Sequence, residues 1–427
     1  MHGFIVSAML TSIDGGRARR EGQGRVLSGT SGPGEWRRLI PPVATAVPIT
    51  VFSLSALAIP LAAAAEIGLG ADALGSWLLA LYAIPGLLGV GLTLVYRQPL
   101  FVAWHTSLVV FYASLAGDVD GGELRGATLV GGLTVAALGV SGLTNRIARL
   151  VPAPVVFGVI AGSVLPFVTQ TFAVLGGERF LVGAALTAWL VSRRVLGPRV
   201  PPVLPALVAG VVAAFLTGRV ESLPGGWVLP SLEPAVPRFS LAAIATVVPV
   251  YVALTALHSN LTAVTYLRSQ DYRPPTRAIE AATGIGAAVG SFFGPGSVCM
   301  GALMTPLTAG PEAGERAVRP WSVYAAGTAF ALIGLAGGVA AGLPEALPLA
   351  ILLAVAGLAL VGVLGEALSA ISRGPIRLGP LLAFAITASN VSMFGLGAPF
   401  WALVIGTGVA LALEGASVRE LRATDAA

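Results

Sequence analysis

Two short stretches decide the fold that this sequence predicts. They read Pro99-Leu100-Phe101-Val102-Ala103-Trp104-His105-Thr106-Ser107 and Gly294-Pro295-Gly296-Ser297-Val298-Cys299-Met300-Gly301. Each opens a short apolar segment with proline or glycine, residues that interrupt a helix. Each segment is also the third of seven in its half of the chain. Matched interruptions of this kind are typical of membrane proteins that are built from two inverted repeats, with a ligand bound between broken helices.

The composition around these stretches indicates a membrane protein. Of the 427 residues, 56% are hydrophobic and only 11% are charged, whereas soluble domains carry roughly 25% charged residues. The apolar runs do not alternate, which favours helices over barrel strands. The net charge is +5, but the arginines of the chain are scattered through short loops, so a nucleic-acid-binding protein is not indicated.

We predict about fourteen membrane spans, numbered span 1 to span 14 throughout. They cover residues 41–65, 73–95, 99–116, 126–144, 153–175, 178–193, 201–218, 240–267, 278–294, 296–310, 320–342, 345–365, 377–394 and 397–414. The predicted organisation is a disordered cytoplasmic tail over 1–40, a seven-span repeat over 41–218, a linker over 219–239, a second repeat over 240–414 and a cytoplasmic tail over 415–427. An odd number of spans in each repeat inverts the second repeat in the membrane.

The arginines support this arrangement. With both termini in the cytoplasm, 21 of the 25 basic residues fall on the inner side, and all 25 are arginine. The predicted outer loops hold only Arg125, Arg179, Arg219 and Arg238. This distribution follows the positive-inside rule and predicts a multi-pass protein of the bacterial cytoplasmic membrane.

Two histidines within spans are candidate proton carriers. His105 lies in span 3 and His258 in the middle of span 8. Imidazole titrates near neutral pH, and ionisable groups at membrane depth are usually functional; a helix–helix hydrogen bond is the alternative. Glu366 is expected at the cytoplasmic membrane interface, at the end of span 12.

Polar and aromatic residues near the histidines are candidate ligand contacts. Half-helices that begin near Thr106 and Ser107, and near Ser297, Cys299 and Met300, would present free N–H groups to an anion. In span 8, Ser259 and Asn260 could bind a ligand or a neighbouring backbone, and in span 3 Trp104 could stack on an aromatic ligand or pack between helices. The chain has no His-Glu-x-x-His motif, phosphate-binding loop or intramembrane aspartate pair. We therefore expect no catalytic residue, metal or cofactor.

Several motifs resemble one known family, the bacterial benzoate–proton symporters. The motifs are Tyr96-Arg97-Gln98-Pro99, Ala103-Trp104, Ser259-Asn260-Leu261, Leu267-Arg268, Tyr272-Arg273-Pro274-Pro275, Phe293-Gly294 and Gly310-Pro311-Glu312-Ala313. That family belongs with the uracil permeases and the sulfate-type anion transporters. The resemblance implies a core domain of spans 1–4 and 8–11 and a gate domain of spans 5–7 and 12–14. It also implies a substrate site between the half-helices of spans 3 and 10 and against span 8, and a homodimer through the gate domain.

The sequence departs from this family at the implied site. It has His105-Thr106-Ser107-Leu108 where the family has Ser-Thr-Pro-Gly, Cys299 where the family has asparagine, and His258-Ser259-Asn260 where the family has Ser-Gln-Asn. We predict a proton-coupled importer of a small organic anion, with benzoate or a related aromatic carboxylate as the leading substrate. In this prediction Trp104 stacks on the ring and His258 is the proton-sensitive group. A nucleobase or inorganic-anion carrier is the alternative, and a membrane sensor or an intramembrane enzyme is more remote.

Overall fold

The structure, a computed structural model, describes residues 35–144, 151–195, 201–220, 229–394 and 396–424. Its helices are Glu35–Ala44, Ala46–Ala56, Ala58–Ile67, Ala71–Tyr96, Thr106–Ala113, Gly121–Ser141, Ala153–Gly177, Arg179–Val195, Val203–Leu216, Leu241–Val252, Leu261–Ser269, Thr276–Gly290, Thr305–Ala309, Pro320–Leu335, Gly337–Ala341, Leu343–Ala346, Leu349–Arg373, Leu378–Ala388, Ala398–Leu413 and Gly415–Thr424. A π-helix spans Ala253–Asn260 and a 3₁₀-helix Pro311–Ala313, and the strands are β1 (Val102–Ala103) and β2 (Cys299–Met300). Residues 1–34 of the predicted tail lie outside the described residues.

The helical, polytopic class is confirmed. Each predicted span coincides with one helix, with consecutive helical segments, or with a strand and a short helix; span 2, for example, is Ala71–Tyr96. Among the described residues, six helices are long and apolar enough to cross a membrane, or seven if the bent pair Ala398–Leu413 and Gly415–Leu421 is one span. The count of fourteen spans stays a prediction.

The helices pack in a pattern that repeats between the two halves. Span 2 packs on span 11, and span 4 packs on span 9. The two pairs are equivalent, because span 9 is the counterpart of span 2 in the second repeat and span 11 is the counterpart of span 4. The pairs formed by spans 6 and 7 and by spans 13 and 14 correspond in the same way, and spans 5 and 12 pack on each other. The first set of pairs lies in the predicted core domain and the second set in the predicted gate domain.

Small residues let the core helices approach closely. A Cβ atom at Gly284 of span 9 would lie 2.4 Å from the backbone nitrogen of Ala136 in span 4. Only glycine fits at that distance, and close contact of this kind is what joins helices in lipid, where apolar burial gives little preference.

Spans 3 and 10 are both broken, as predicted. Strands β1 and β2 pair antiparallel, with Val102 opposite Met300 and Ala103 opposite Cys299. The pairing gives backbone groups a partner where no helix can supply one. Helix Thr106–Ala113 follows β1, and the shorter helix Thr305–Ala309 follows β2.

One detail of span 10 was predicted wrongly. A half-helix was expected to begin near Ser297, but the chain stays non-helical until Thr305. The indole of Trp77 explains the difference, because it donates a 2.8 Å hydrogen bond to the carbonyl of Pro295 and lies directly against Gly294. A Cβ at Gly294 would come within 2.3 Å of Trp77, so the stretch is shaped by a neighbouring helix that its own sequence does not reveal.

Candidate functional site

Span 8 changes from an α-helix to a π-helix where its polar residues lie. The π-helix Ala253–Asn260 contains His258, Ser259 and Asn260, and such segments frequently mark functional sites. The Ser259 hydroxyl donates to the carbonyl of Met300 at 2.8 Å, and the N–H of Met300 donates to Oδ1 of Asn260 at 2.8 Å. Span 8 therefore holds β2 through both polar backbone groups of Met300.

Asn260 connects β2 to span 9. Its side chain is fully buried, and its Nδ2 donates to the hydroxyl of Thr283 at 3.2 Å. That hydroxyl in turn donates to the carbonyl of Glu280 at 3.2 Å. Asn260 thus supports the wall of the site, and its predicted contact with a ligand stays a prediction.

The half-helix of span 3 is tied to the extended part of span 10. At its start, the backbone N–H of His105 donates to Oγ of Ser297 at 2.7 Å. Further along, the buried hydroxyl of Tyr112 donates to the carbonyl of Gly296 at 3.3 Å and accepts from Thr128 at 3.0 Å. Tyr112 was not a predicted site residue, because a tyrosine in an apolar segment looks like ordinary packing.

The two intramembrane histidines meet. The ring centroids of His105 and His258 are 5.9 Å apart, and Phe157 of span 5 packs edge-to-face on His258 at 5.1 Å. His105 Nδ1 is buried and has no hydrogen-bond partner in the described part of the chain. Two positive imidazolium groups this close would repel, so the pair resists holding two protons at once. Phe157 was not a predicted site residue, and its contact with His258 brings a helix of the predicted gate domain against this pair.

The aromatic side of the site is formed by Trp104. Its indole is 8% exposed and packs edge-to-face on Tyr82, with 5.7 Å between ring centroids. Tyr82 packs on Phe330 of span 11 at 4.8 Å. Trp104 is therefore anchored on one side by the core domain.

The structure brings the predicted site residues together, but they differ in how far they are buried. His105, Thr106 and His258 are partly exposed, whereas the others are buried. The buried residues are Trp104, Ser107, Ser259, Asn260, Ser297, Cys299 and Met300. Among the described residues, no group of three or more His, Cys, Asp or Glu side chains forms a possible metal site.

A cavity of about 240 Å³ lies between the core and gate helices at the far end of the span 3 half-helix. Glu66 and Ser114 line it from the core domain, and Ser163, Gln170 and Asn390 line it from the gate domain. Helix Thr106–Ala113 separates it from His105 by about 12 Å, at 1.5 Å per residue. The cavity lies on the predicted outer side.

Comparison with known proteins fits this architecture. The family model of the benzoate membrane transport protein matches residues 41–412. The chain is 30% identical over 338 residues to the inner membrane protein YdcO of Escherichia coli (strain K12), covering 78% of this chain and 85% of the relative. It is 23% identical over 336 residues to the benzoate membrane transport protein of Acinetobacter baylyi (strain ATCC 33305 / BD413 / ADP1), covering 78% of this chain and 84% of that relative.

Solved structures show the same fold. The transmembrane domain of the cyanobacterium bicarbonate transporter BicA superposes with a TM-score of 0.56 at 17% identity, covering 88% of this chain and 98% of that one. SLC26A9 gives a TM-score of 0.56 at 13% identity, covering 86% and 64%. The chain is a multi-pass membrane transporter rather than an enzyme, and it belongs to the benzoate membrane transport protein family.

Proposed function

We propose that this transporter imports benzoate or a related aromatic carboxylate together with a proton, by movement of the core domain against the gate domain. The observation that carries the proposal is the meeting of His105 and His258 at the start of the span 3 half-helix, beside Trp104. A proton carrier, an anion-binding backbone and an aromatic surface adjoin at that point. In this proposal the three features bind the proton, the carboxylate and the ring of the substrate, respectively.

The carboxylate would bind at the start of the half-helix. The first N–H groups of Thr106–Ala113 have no acceptor within the helix, and the helix dipole is positive there. Thr106 and Ser107 supply hydroxyls at the same end, and Ser297 and Cys299 form the opposite wall. Trp104 would lie along the ring of the substrate, where aromatic stacking contributes about 0.5–1.5 kcal/mol beyond simple burial.

The proton would be carried by His258. A protonated imidazole beside a bound carboxylate cancels its charge, which lowers the cost of moving the anion through a low-dielectric passage. Release of the proton on the cytoplasmic side would then free the anion. In this proposal both termini are cytoplasmic, the membrane is the bacterial inner membrane, and the cavity beside Glu66 is the outer approach to the site. A homodimer would form through the gate domain, as in the wider group.

Uptake by the purified protein in proteoliposomes tests the proposal. An imposed gradient, alkaline inside, should drive accumulation of labelled benzoate, and a protonophore should abolish it. Excess unlabelled benzoate should compete, whereas uracil, sulfate and bicarbonate should not. Transport of uracil or an inorganic anion without benzoate uptake would contradict the substrate assignment. Benzoate uptake that ignores the pH gradient would contradict proton coupling.

A further inference from the structure

The cavity beside Glu66 is lined by side chains that offer oxygen atoms and no positive charge. The polar residues of its described lining are Glu66, Ser114, Ser163, Gln170, Thr387 and Asn390. Glu66 is the one ionisable residue of that described lining, and it is exposed. In the proposed function the substrate passes through this cavity, but no role has been given to these groups.

Ser163 brings a buried hydroxyl without a partner to the cavity. The residue is 2% exposed, it lines the cavity, and its Oγ has no hydrogen-bond partner in the described part of the chain. Two nearby hydroxyls behave differently: those of Thr169, on the same helix, and Thr387, in the lining, donate to carbonyls of their own helices. Buried polar groups are nearly always hydrogen-bonded, so Ser163 indicates a partner that comes from outside the chain.

Pro166 leaves a backbone acceptor on the same wall. It lies inside helix Ala153–Gly177 and has no N–H, so the carbonyl of Gly162, four residues earlier, lacks the donor that a helix normally supplies. Gly162 and Pro166 both line the cavity. A Cβ atom at Gly162 would lie 2.5 Å from the Cβ of Thr387. This close contact of spans 5 and 13 holds the oxygen atoms of the two helices beside each other.

Three helices end at the cavity. Helix Ala58–Ile67 carries Glu66 in its last turn, and the final residues of helices Thr106–Ala113 and Leu378–Ala388 lie in the lining. The C-terminal end of a helix is the negative end of its dipole and favours a positive charge. In transporters with broken helices, such ends and unwound carbonyls bind cations. The cavity therefore stabilises a positive charge and disfavours a negative one.

Glu66 itself needs a positive partner. An acidic side chain in the last turn of a helix is repelled by the negative end of the dipole. The salt bridges among the described residues join Arg219 to Glu178 and Arg238 to Asp120, so none of them involves Glu66. The chain thus supplies no described countercharge for this carboxylate.

The composition of the lining selects the class of cation. Carboxylate, amide, hydroxyl and carbonyl oxygens suit a hard cation, whereas the described lining contains no histidine or cysteine for a transition metal. A single carboxylate balances a single positive charge. An alkali cation therefore fits the cavity better than a divalent ion does.

We propose that the cavity binds a monovalent inorganic cation of the size of Na⁺ between the predicted core and gate domains. Glu66 of the core side would balance its charge. The Ser163 hydroxyl, the Gly162 carbonyl and the Asn390 amide oxygen of the gate side would complete its neutral ligands. An incoming carboxylate would then meet a neutralised Glu66 instead of a bare negative charge. Only this last consequence rests on the proposed function, in which the cavity is the outer approach.

Thermal unfolding of the purified full chain in detergent tests the site without any substrate. Replacing about 100 mM choline chloride by NaCl, at constant ionic strength, should raise the unfolding temperature of the wild type by about 1–3 °C, because a ligand of the folded state stabilises it. Glu66→Gln and Ser163→Ala should lose most of this shift. Asp72→Asn, at the predicted outer start of span 2, and Thr169→Val, on the helix of Ser163, are matched controls and should keep it.

Three results would overturn the site. They are equal wild-type unfolding temperatures in the two salts, a full Na⁺ shift in Glu66→Gln, and a wild type that shows no saturable binding of radioactive Na⁺. The binding measurement needs only the wild type, so it decides the matter even where a variant does not fold.

Transport separates this inference from the proposed function. At a fixed pH gradient, external Na⁺ in place of choline should lower the KM for benzoate about two- to fivefold with little change in maximal rate, because it removes a repulsion on entry. Glu66→Gln should give the same KM in both salts. A wild-type KM that ignores Na⁺ would overturn the countercharge role. Stabilisation by Na⁺ in a protein that transports no benzoate would support the cation site and overturn the substrate proposal alone.

Discussion

The backbone N–H of His105 donates a hydrogen bond to Oγ of Ser297 across the two inverted repeats, at 2.7 Å. The serine is 2% exposed, so no bulk water can replace it. An unsatisfied buried N–H costs about 1–3 kcal/mol. The bond therefore fixes the start of the span 3 half-helix relative to span 10, where the substrate is proposed to bind.

Replacing Ser297 should disturb transport more than folding. We expect Ser297→Ala to reduce the rate of benzoate uptake about tenfold, which corresponds to about 1.4 kcal/mol, while thermal unfolding in detergent changes by a few degrees. Ser297→Thr keeps the hydroxyl and should retain most uptake. Wild-type rates in Ser297→Ala would show that the bond does not position the half-helix.

Asn260 should matter mainly for the integrity of β2. Asn260→Ala removes the acceptor for Met300 N–H and the donor to Thr283, so we expect a loss of about 1–3 kcal/mol of stability and loss of uptake. Thr283→Val removes the second bond and the bond from the Thr283 hydroxyl to the carbonyl of Glu280, but it keeps the bond that holds Met300. It should therefore have a smaller effect on both measurements. Equal effects of Asn260→Ala and Thr283→Val on thermal unfolding would contradict a direct role in holding the strand.

Several features of the fold were predictable because they follow from local signals. Pro99 and the Gly294-Pro295-Gly296 stretch cannot continue a helix, so the breaks in spans 3 and 10 appear in the sequence. The loop arginines support the inside–outside alternation of the spans independently of hydropathy, and that alternation stays a prediction. The late start of helix Thr305–Ala309 could not be predicted, because it depends on the contact of Trp77 with Gly294, and these residues are 217 positions apart in sequence.

The site was only partly predictable for the same reason. His105 and His258 stand out because ionisable residues are rare in spans, but their 5.9 Å approach depends on how spans 3 and 8 pack. The π-helix over Ala253–Asn260 has no local sequence signature that we could identify. Phe157 and Tyr112 sit in apolar runs, where an aromatic side chain carries no information about its partner.

Glu414 should make the stability of the protein depend on acidity. Its carboxylate accepts hydrogen bonds from the backbone N–H groups of Arg377, Leu378 and Gly379 at 2.6, 2.9 and 2.9 Å, at the start of helix Leu378–Ala388. Partial burial by itself would raise the pKa of Glu414, but these bonds outweigh it and hold the pKa below its ordinary value of 4.5. The folded state therefore favours the ionised form.

The sign of the effect follows from that shift. A carboxyl group whose pKa is lower in the folded state stabilises that state. The stabilisation is complete when the pH is above the ordinary pKa, and it is lost as the pH falls through the pKa of the folded state. The thermal unfolding temperature of the wild type should be higher than that of Glu414→Gln near neutral pH. The difference between the two temperatures should shrink below about pH 4.5. Glu315→Gln, in another loop on the same predicted side, is the control. A constant difference at all pH values would contradict this account.

Trp104 should decide whether the site prefers aromatic acids. Trp104→Phe keeps a ring on Tyr82 and should retain benzoate uptake, whereas Trp104→Ala should weaken the apparent affinity about tenfold, in line with about 0.5–1.5 kcal/mol of stacking plus lost burial. Competition by aliphatic acids of similar length should change little in Trp104→Ala. Equal losses for aromatic and aliphatic acids would instead assign Trp104 a packing role.

Variants of His258 and His105 should separate proton coupling from substrate binding. His258→Asn removes the proposed proton carrier, so gradient-driven accumulation of benzoate should be lost, while exchange of labelled for unlabelled benzoate across the membrane should continue. His105→Asn leaves His258 without its neighbouring imidazole, and accumulation should persist with a shifted pH profile, because the like-charge repulsion between the two rings is gone. Paired measurements of uptake and exchange in proteoliposomes distinguish the two variants. If His258→Asn accumulates benzoate as fully as wild type across the pH range, the proton is carried elsewhere, and the proximity of the two imidazoles reflects helix packing alone.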